Sequence, residues 1–299
     1  MISVAEVFKE NEMTVIQYCA IVALLGISII KPFLYRPLAE KYPASFASEL
    51  TVSWLMPFIL LSFPFMYPYL IDALPAIKAH PVSLILTVFK GVFIWYAYEY
   101  AQIINRDSTS STVFFPFISL AAASLIINLF FHENLALIHL LSIVSLGILG
   151  LVFCFAGDAK RMSHAWKINF AIAIFFSAIC PIIDHIAITD LGRYTYFIIS
   201  NLVMFIFAFF RGLNYKRLKL IFTTKDVIAA GIVGAMLEIT IIGVSVNILP
   251  VSFTAFFRRM AAPIVMVISA IKYKEQTVRN QLIFGCLALL FALPIILMK

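Results

Sequence analysis

Two charged side chains lie inside long apolar runs, where they could bind a charged solute. Glu238 lies twelve residues after Asp226 in one run, and Arg258 lies in the next. A charge at the middle of a membrane helix costs about 2.5–3.5 kcal/mol, so it is retained where it faces a protein interior or a water-filled cavity. A carboxylate binds an ammonium group or exchanges a proton, and an arginine binds carboxylate or phosphate with two parallel hydrogen bonds. Both residues are therefore candidates for substrate binding.

A second group of candidates lies in the third apolar run. Lys90 is followed by Trp95, Tyr96 and Tyr98, with Glu99 next to them. An aromatic wall beside a cation is typical of a cavity for an amphipathic solute, and Glu99 lies nearer the end of the run, where it could reach interfacial water. The alternative interpretation of this wall is interfacial anchoring, and the alternative for Glu238 is a salt bridge to a neighbouring helix.

Lys31 and Asp184 complete the candidates. When the first and sixth runs are aligned, with Val15 on Ile168, Lys31 falls opposite Asp184. If the two runs have inverted orientations, these charges would lie at opposite mouths of a cavity and act as alternating gates. The alternative is that Lys31 marks the aqueous end of its helix.

Composition shows what kind of protein must hold these charges. The chain has 299 residues, of which 63% are hydrophobic and 12% are charged, whereas soluble domains carry about 25% charged residues. The net charge of +7 comes from Lys and Arg between apolar runs, which reports membrane orientation rather than nucleic-acid binding. The four cysteines lie in apolar runs without paired spacing, so neither a disulfide framework nor a metal site nor any other cofactor is predicted.

The elements that position the charges are predicted as transmembrane helices, each about 20 residues long. Ten apolar segments are expected at approximately 14–35, 46–66, 81–104, 112–131, 137–156, 168–189, 194–212, 226–247, 251–271 and 281–297. They divide into two units of five, 14–156 and 168–297. A shift of 142 residues places Glu133 on Glu275, Asn105 on Asn247 and Tyr96 on Glu238. Because five is odd, the second unit must be inverted, and inverted repeats are typical of secondary transporters.

The repeated segments also resemble a known family. The stretch from Tyr98-Glu-Tyr-Ala-Gln-Ile-Ile-Asn105 through Phe131-His-Glu133 is similar to the end of an EamA-type repeat, and a second copy runs from Ser245-Val-Asn247 through Pro263 to Glu275. Such repeats belong to the drug/metabolite transporter superfamily. The resemblance implies ten helices, cytoplasmic termini, and a cavity lined by the first, third, fourth, sixth, eighth and ninth helices.

The orientation in the membrane is left open by two conflicting signals. Lys and Arg are concentrated in the loops that follow odd-numbered segments. The positive-inside rule therefore puts those loops in the cytoplasm and both termini outside it, whereas the family resemblance implies cytoplasmic termini.

The expected protein is an all-α, multi-pass protein of the cell (inner) membrane. Acids and bases in one membrane zone predict a secondary transporter, not an enzyme, that moves a small polar or zwitterionic metabolite such as an amino acid by alternating access. Protons or a counter-substrate would supply the drive, and monomer and homodimer are both compatible with the sequence. The alternatives are an exporter of amphipathic or cationic drugs and an integral-membrane enzyme acting on lipid headgroups.

Overall fold

Helices make up almost all of the protein. The computed structural model describes residues 15–71, 73–131, 137–156, 163–247, 260–274 and 278–297. This part of the chain is 93% helical and contains no strand. Its helices are α1 (Val15–Lys41), α2 (Phe46–Leu70), α3 (Ala73–Ala79), α4 (Pro81–Asp107), α5 (Thr109–Phe131), α6 (Leu137–Ala156), α7 (His164–Leu191), α8 (Arg193–Phe210), α9 (Tyr215–Thr223), α10 (Lys225–Asn247), α11 (Ala262–Tyr273) and α12 (Val278–Leu297).

Local signals explain where several helices begin and end. The Ser163 hydroxyl accepts the Trp166 N–H at 3.2 Å and caps α7, as expected for a serine at this position. Pro81 occupies the first turn of α4, where its missing N–H costs no helical hydrogen bond. Gly192 separates α7 from α8 with φ of 75°, a conformation that side-chain-bearing residues rarely adopt.

Seven of the described helices are long and apolar enough to cross a membrane: α1, α2, α4, α5, α6, α7 and α8. Helix α9 and residues 225–240 of α10 qualify as an eighth span only when the pair is taken together, and these two helices meet at 91°. Helix α11 and residues 282–291 of α12 are shorter apolar helices. The prediction of an all-α, multi-pass membrane protein is confirmed, and the count of ten spans stays a prediction.

The helices pack in a pattern that surrounds a central space. Helix α4 packs against α7 and α8, and α10 packs against α1 and α2. Helix α5 contacts α6, α7 and α11, while α12 contacts α11 and α6. Glycine permits the closest approach of α4 to α8, because a Cβ at Gly91 would lie 2.6 Å from the Ser200 carbonyl oxygen. Helices α1, α4, α5, α7 and α10 are thereby held around one interior cavity.

Candidate functional site

The cavity has a volume of about 310 Å³ and is bounded by six helices. Its lining comes chiefly from α1, α4, α5, α7, α10 and the start of α11, with Ala47 added from α2. In chain order, the six are the helices of the first, third, fourth, sixth, eighth and ninth apolar segments. Four of the lining residues are lysine, aspartate or glutamate: Lys31, Lys90, Asp184 and Glu238.

Three of the cavity helices contain a proline that lines the space: Pro32 of α1, Pro116 of α5 and Pro181 of α7. Proline has no N–H, so the carbonyl four residues earlier loses its helical donor. Those carbonyls belong to Ser28, Thr112 and Ser177, which also line the cavity. The lining therefore offers backbone acceptors as well as side chains, although its helices are apolar.

One cluster of charges is organised by a tyrosine of α4. The Tyr98 hydroxyl donates a hydrogen bond to Oε1 of Glu238 on α10. The Lys31 ammonium lies 4.5 Å from the centroid of the Tyr98 ring and 5.3 Å from that of Tyr35, within the range of a cation–π interaction. Tyr98 thus lies between a cation that contacts its ring and a carboxylate that contacts its hydroxyl.

A second cluster contains the same three residue types in a closed arrangement. Lys90 Nζ lies 2.5 Å from Asp184 Oδ1, and the Tyr196 hydroxyl donates to the same carboxylate oxygen. The Lys90 ammonium is 5.9 Å from the Tyr196 ring centroid. Because this lysine and this aspartate contact each other directly, their charges are neutralised within the protein.

The structure brings together four of the predicted residues, Lys31, Lys90, Asp184 and Glu238, around one space. Lys31 and Asp184 line the same cavity, and Asp184 is bound by Lys90, while their role as alternating gates stays a prediction. The α7 helix turns Asp184 toward α4, whose Lys90 satisfies the carboxylate. The predicted Arg258 lies outside the described residues.

The remaining candidates lie away from the cavity. Glu99 accepts hydrogen bonds from Arg211 Nη2, at 3.1 and 3.2 Å, and from Trp95 Nε1 at 3.2 Å. Trp95 is fully buried and packs its ring on Phe207. Tyr96 lines an outward-facing groove instead of the cavity. These three residues therefore have structural partners on other faces of α4.

Helical spacing distinguishes the residues of α4 that line the cavity from those that do not. Residues three or four apart lie on the same face of a helix, and the face that begins with Lys90 continues through Ile94, Ala97 or Tyr98, and Ala101 or Gln102 to Asn105. The sequence predicted Tyr98 as part of an aromatic wall beside Lys90, but it gave no role to Gln102 and Asn105 in the cavity. Gln102 Nε2 donates to the Tyr35 carbonyl at 2.7 Å, and Asn105 Nδ2 donates to the Pro32 carbonyl at 3.1 Å. Both side chains tie α1 to α4.

No protein-family model matches the chain, and no curated protein matches it. Within the described residues, no three His, Cys, Asp or Glu side chains come together in a way that could hold a metal ion.

Proposed function

We propose that this protein is a secondary transporter of a small zwitterionic metabolite, such as an amino acid, in the cell (inner) membrane. The observation that carries the proposal is the contact of both Lys31 and Glu238 with Tyr98, the first with its ring and the second with its hydroxyl, in a cavity of about 310 Å³. Cavities for small molecules begin at about this size. Alternating access, driven by protons or a counter-substrate, would expose the cavity to each side of the membrane in turn.

The two charges match the two ends of a zwitterion. A substrate carboxylate would be attracted by the Lys31 ammonium, and a substrate ammonium by the Glu238 carboxylate. The Glu238 Oε2 atom accepts no hydrogen bond from the part of the chain that the structure describes, so it is available to a ligand. The Lys90–Asp184 pair is neutral as a unit.

A duplicated motif supports the repeat on which alternating access depends. The pattern Ser-x-Ile-x-Pro occurs in α1 as Ser28-Ile-Ile-Lys-Pro32 and in α7 as Ser177-Ala-Ile-Cys-Pro181. The cavity-lining residues of these helices correspond one to one at a separation of 149 residues: Ser28 with Ser177, Lys31 with Cys180, Pro32 with Pro181 and Tyr35 with Asp184. Two copies of one ancestral unit would produce this match.

Helix packing supports the same interpretation. If the chain is a repeat, α1, α2 and α4 of the first half are the counterparts of α7, α8 and α10 of the second. Exchanging counterparts turns the contact of α4 with α7 into the contact of α10 with α1, and both contacts are present. It likewise turns the contact of α4 with α8 into the contact of α10 with α2, and both of these are present too. The pair α5–α6 likewise becomes α11–α12. This exchange is what two inverted five-helix repeats would produce. Together with the six lining helices, it supports our proposal of an EamA-type member of the drug/metabolite transporter superfamily.

The differences between the copies suit an asymmetric substrate. Helix α1 has Lys31 at the position where α7 has Cys180, and it has Tyr35 at the position where α7 has Asp184. Opposite walls of the cavity therefore differ in charge although their backbones correspond. A molecule with a carboxylate at one end and an ammonium at the other would bind in one orientation.

Uptake into proteoliposomes tests the proposal. A panel of radiolabelled amino acids is compared with amines that lack the carboxylate and acids that lack the amine, in the wild type and in Glu238→Gln and Lys31→Gln. Loss of a charge-assisted hydrogen bond weakens binding by roughly 10- to 100-fold, so each variant should raise KM by that amount. Glu99→Gln is the matched control, because Glu99 lies outside the cavity, and its KM should stay within about threefold of wild type.

The alternatives correspond to different outcomes. Saturable transport of a cationic drug that is unaffected by Lys31→Gln would favour the drug exporter. Chemical conversion of a lipid headgroup without movement of any solute would favour the membrane enzyme. Transport of zwitterions that is unchanged in both cavity variants would contradict the proposed site.

A further inference from the structure

An aromatic groove opens on the outer surface of the bundle between α4 and α7. It is lined by Tyr96, Tyr100, Ala171, Ile172, Phe175 and Phe176 and has a volume of about 600 Å³. The Phe176 ring stacks on Tyr96 at 5.3 Å and on Tyr100 at 6.3 Å, while Phe175 is 57% exposed. Both helices are long enough to span a membrane, so an exposed apolar side of the pair, such as this one, would face lipid. A groove with apolar walls at that position fits an acyl chain.

A cation stands at the edge of this groove. The Arg211 guanidinium carbon lies 5.7 Å from the Tyr96 ring centroid, and the side chain is 39% exposed. Only its Nη2 is used in the contact with Glu99. The Nε and Nη1 groups donate to no residue in the ranges that the structure describes. Each of them can donate a hydrogen bond to a phosphate oxygen, and the positive guanidinium strengthens such a bond.

The neighbouring helix shows that this end of the bundle lies at the membrane surface and is positive. Helix α9 follows Arg211 and meets α10 at 91°, so it runs along the surface if α10 crosses the membrane. Lys216 and Lys219 are exposed on it, and Tyr215 is 79% exposed. The positive-inside rule assigns such an end to the cytoplasmic leaflet, whose anionic lipids attract basic segments.

We propose that a phospholipid with an anionic headgroup binds here, with its phosphate on Arg211 and one acyl chain in the groove of Tyr96, Tyr100 and Phe176. A phospholipid carries an acyl chain and a phosphate in one molecule, so it can occupy the groove and contact Arg211 at the same time. A soluble anion could contact only Arg211. The site is separate from the interior cavity, because Phe176 lines the groove and its neighbour Ser177 lines the cavity. The lipid would bridge α4, α7 and α8, and its binding should stabilise the folded protein.

Thermal unfolding of the purified full chain in detergent measures this binding. The unfolding midpoint is followed while short-chain phosphatidylglycerol is added, with phosphatidylcholine of the same chain length in a parallel titration. Phosphatidylglycerol should raise the midpoint saturably, and phosphatidylcholine should need roughly tenfold more lipid for the same shift. Equal titrations with the two lipids would overturn the assignment of the anionic headgroup.

Two sets of variants locate the site. Ala171→Trp fills the groove and should abolish the saturable shift, while Ala165→Trp makes the same change at another exposed position on α7 and should keep it. Arg211→Gln is made together with Glu99→Gln so that no acid is left alone, and it should weaken phosphatidylglycerol binding roughly tenfold relative to Glu99→Gln. The site would be refuted if phosphatidylglycerol shifted the unfolding midpoint of Ala171→Trp, or of the double variant, as it shifts that of the wild type.

Discussion

The ion pair between Lys90 and Asp184 makes a quantitative prediction about stability. The two side chains are 8% and 19% exposed, and Nζ lies 2.5 Å from Oδ1. Asp184→Asn preserves the shape of the side chain and an acceptor for the Tyr196 hydroxyl, but it removes the negative charge. The variant therefore leaves the Lys90 ammonium without its counter-ion inside the bundle.

The size of the effect follows from burial. Removing one partner of a buried ion pair costs about 3–5 kcal/mol, because the remaining charge is left uncompensated, whereas an exposed pair contributes about 0–1 kcal/mol. Arg106 and Asp107 provide the comparison, since they lie 3.4 Å apart with 54% and 36% exposure. We expect Asp184→Asn to lower the free energy of unfolding by about 3–5 kcal/mol and Asp107→Asn to lower it by less than about 1 kcal/mol.

A double-mutant cycle separates the pair from other consequences of the substitution. Unfolding free energies in mixed detergent micelles are measured for Asp184→Asn, Lys90→Met and the double variant. The double variant has no unpaired charge, so it should recover at least about 2 kcal/mol relative to the sum of the single changes. Simple additivity, or a cost of Asp184→Asn no larger than that of Asp107→Asn, would refute the reasoning.

Two further predictions concern packing and a second buried acid. Glu49 is fully buried and accepts a hydrogen bond from Arg217, so Arg217→Gln should destabilise the protein by about 3–5 kcal/mol in the same unfolding assay; a change below about 1 kcal/mol would contradict the burial argument. Gly91→Ala should cost about 1–3 kcal/mol, because the new Cβ would lie 2.6 Å from the Ser200 carbonyl oxygen. Gly26→Ala is the control, since nothing lies within 4 Å of its Cβ position, and equal effects at both glycines would count against close packing of α4 on α8.

Long apolar runs were enough to predict the class of the protein and most of its helices. The segments expected near 137–156 and 226–247 correspond to α6 and α10, because a run of apolar residues must satisfy its backbone internally in a membrane and a helix does so. The short helices α3 and α9 were not predicted. They have seven and nine residues and lie between the long apolar runs, so they are too short to be recognised as membrane spans.

Charge inside an apolar run was a useful but incomplete guide to the site. It selected Lys31, Lys90, Asp184 and Glu238, which line the cavity, and also Glu99, which does not. The difference is a rotation about the axis of α4. A residue nine positions after Lys90 is turned well away from it on an α-helix, so Glu99 faces the end of α8 while Lys90 faces α7.

Local composition is therefore enough to predict the membrane class, the approximate spans of the helices and the presence of costly charges within them. These follow because polar groups are expensive to leave in lipid. The partners of those charges depend on the tertiary structure. Lys90 and Asp184 are 94 positions apart, and Tyr98 and Glu238 are 140 apart. Their pairing depends on how the helices pack and rotate against one another, which no local pattern specifies.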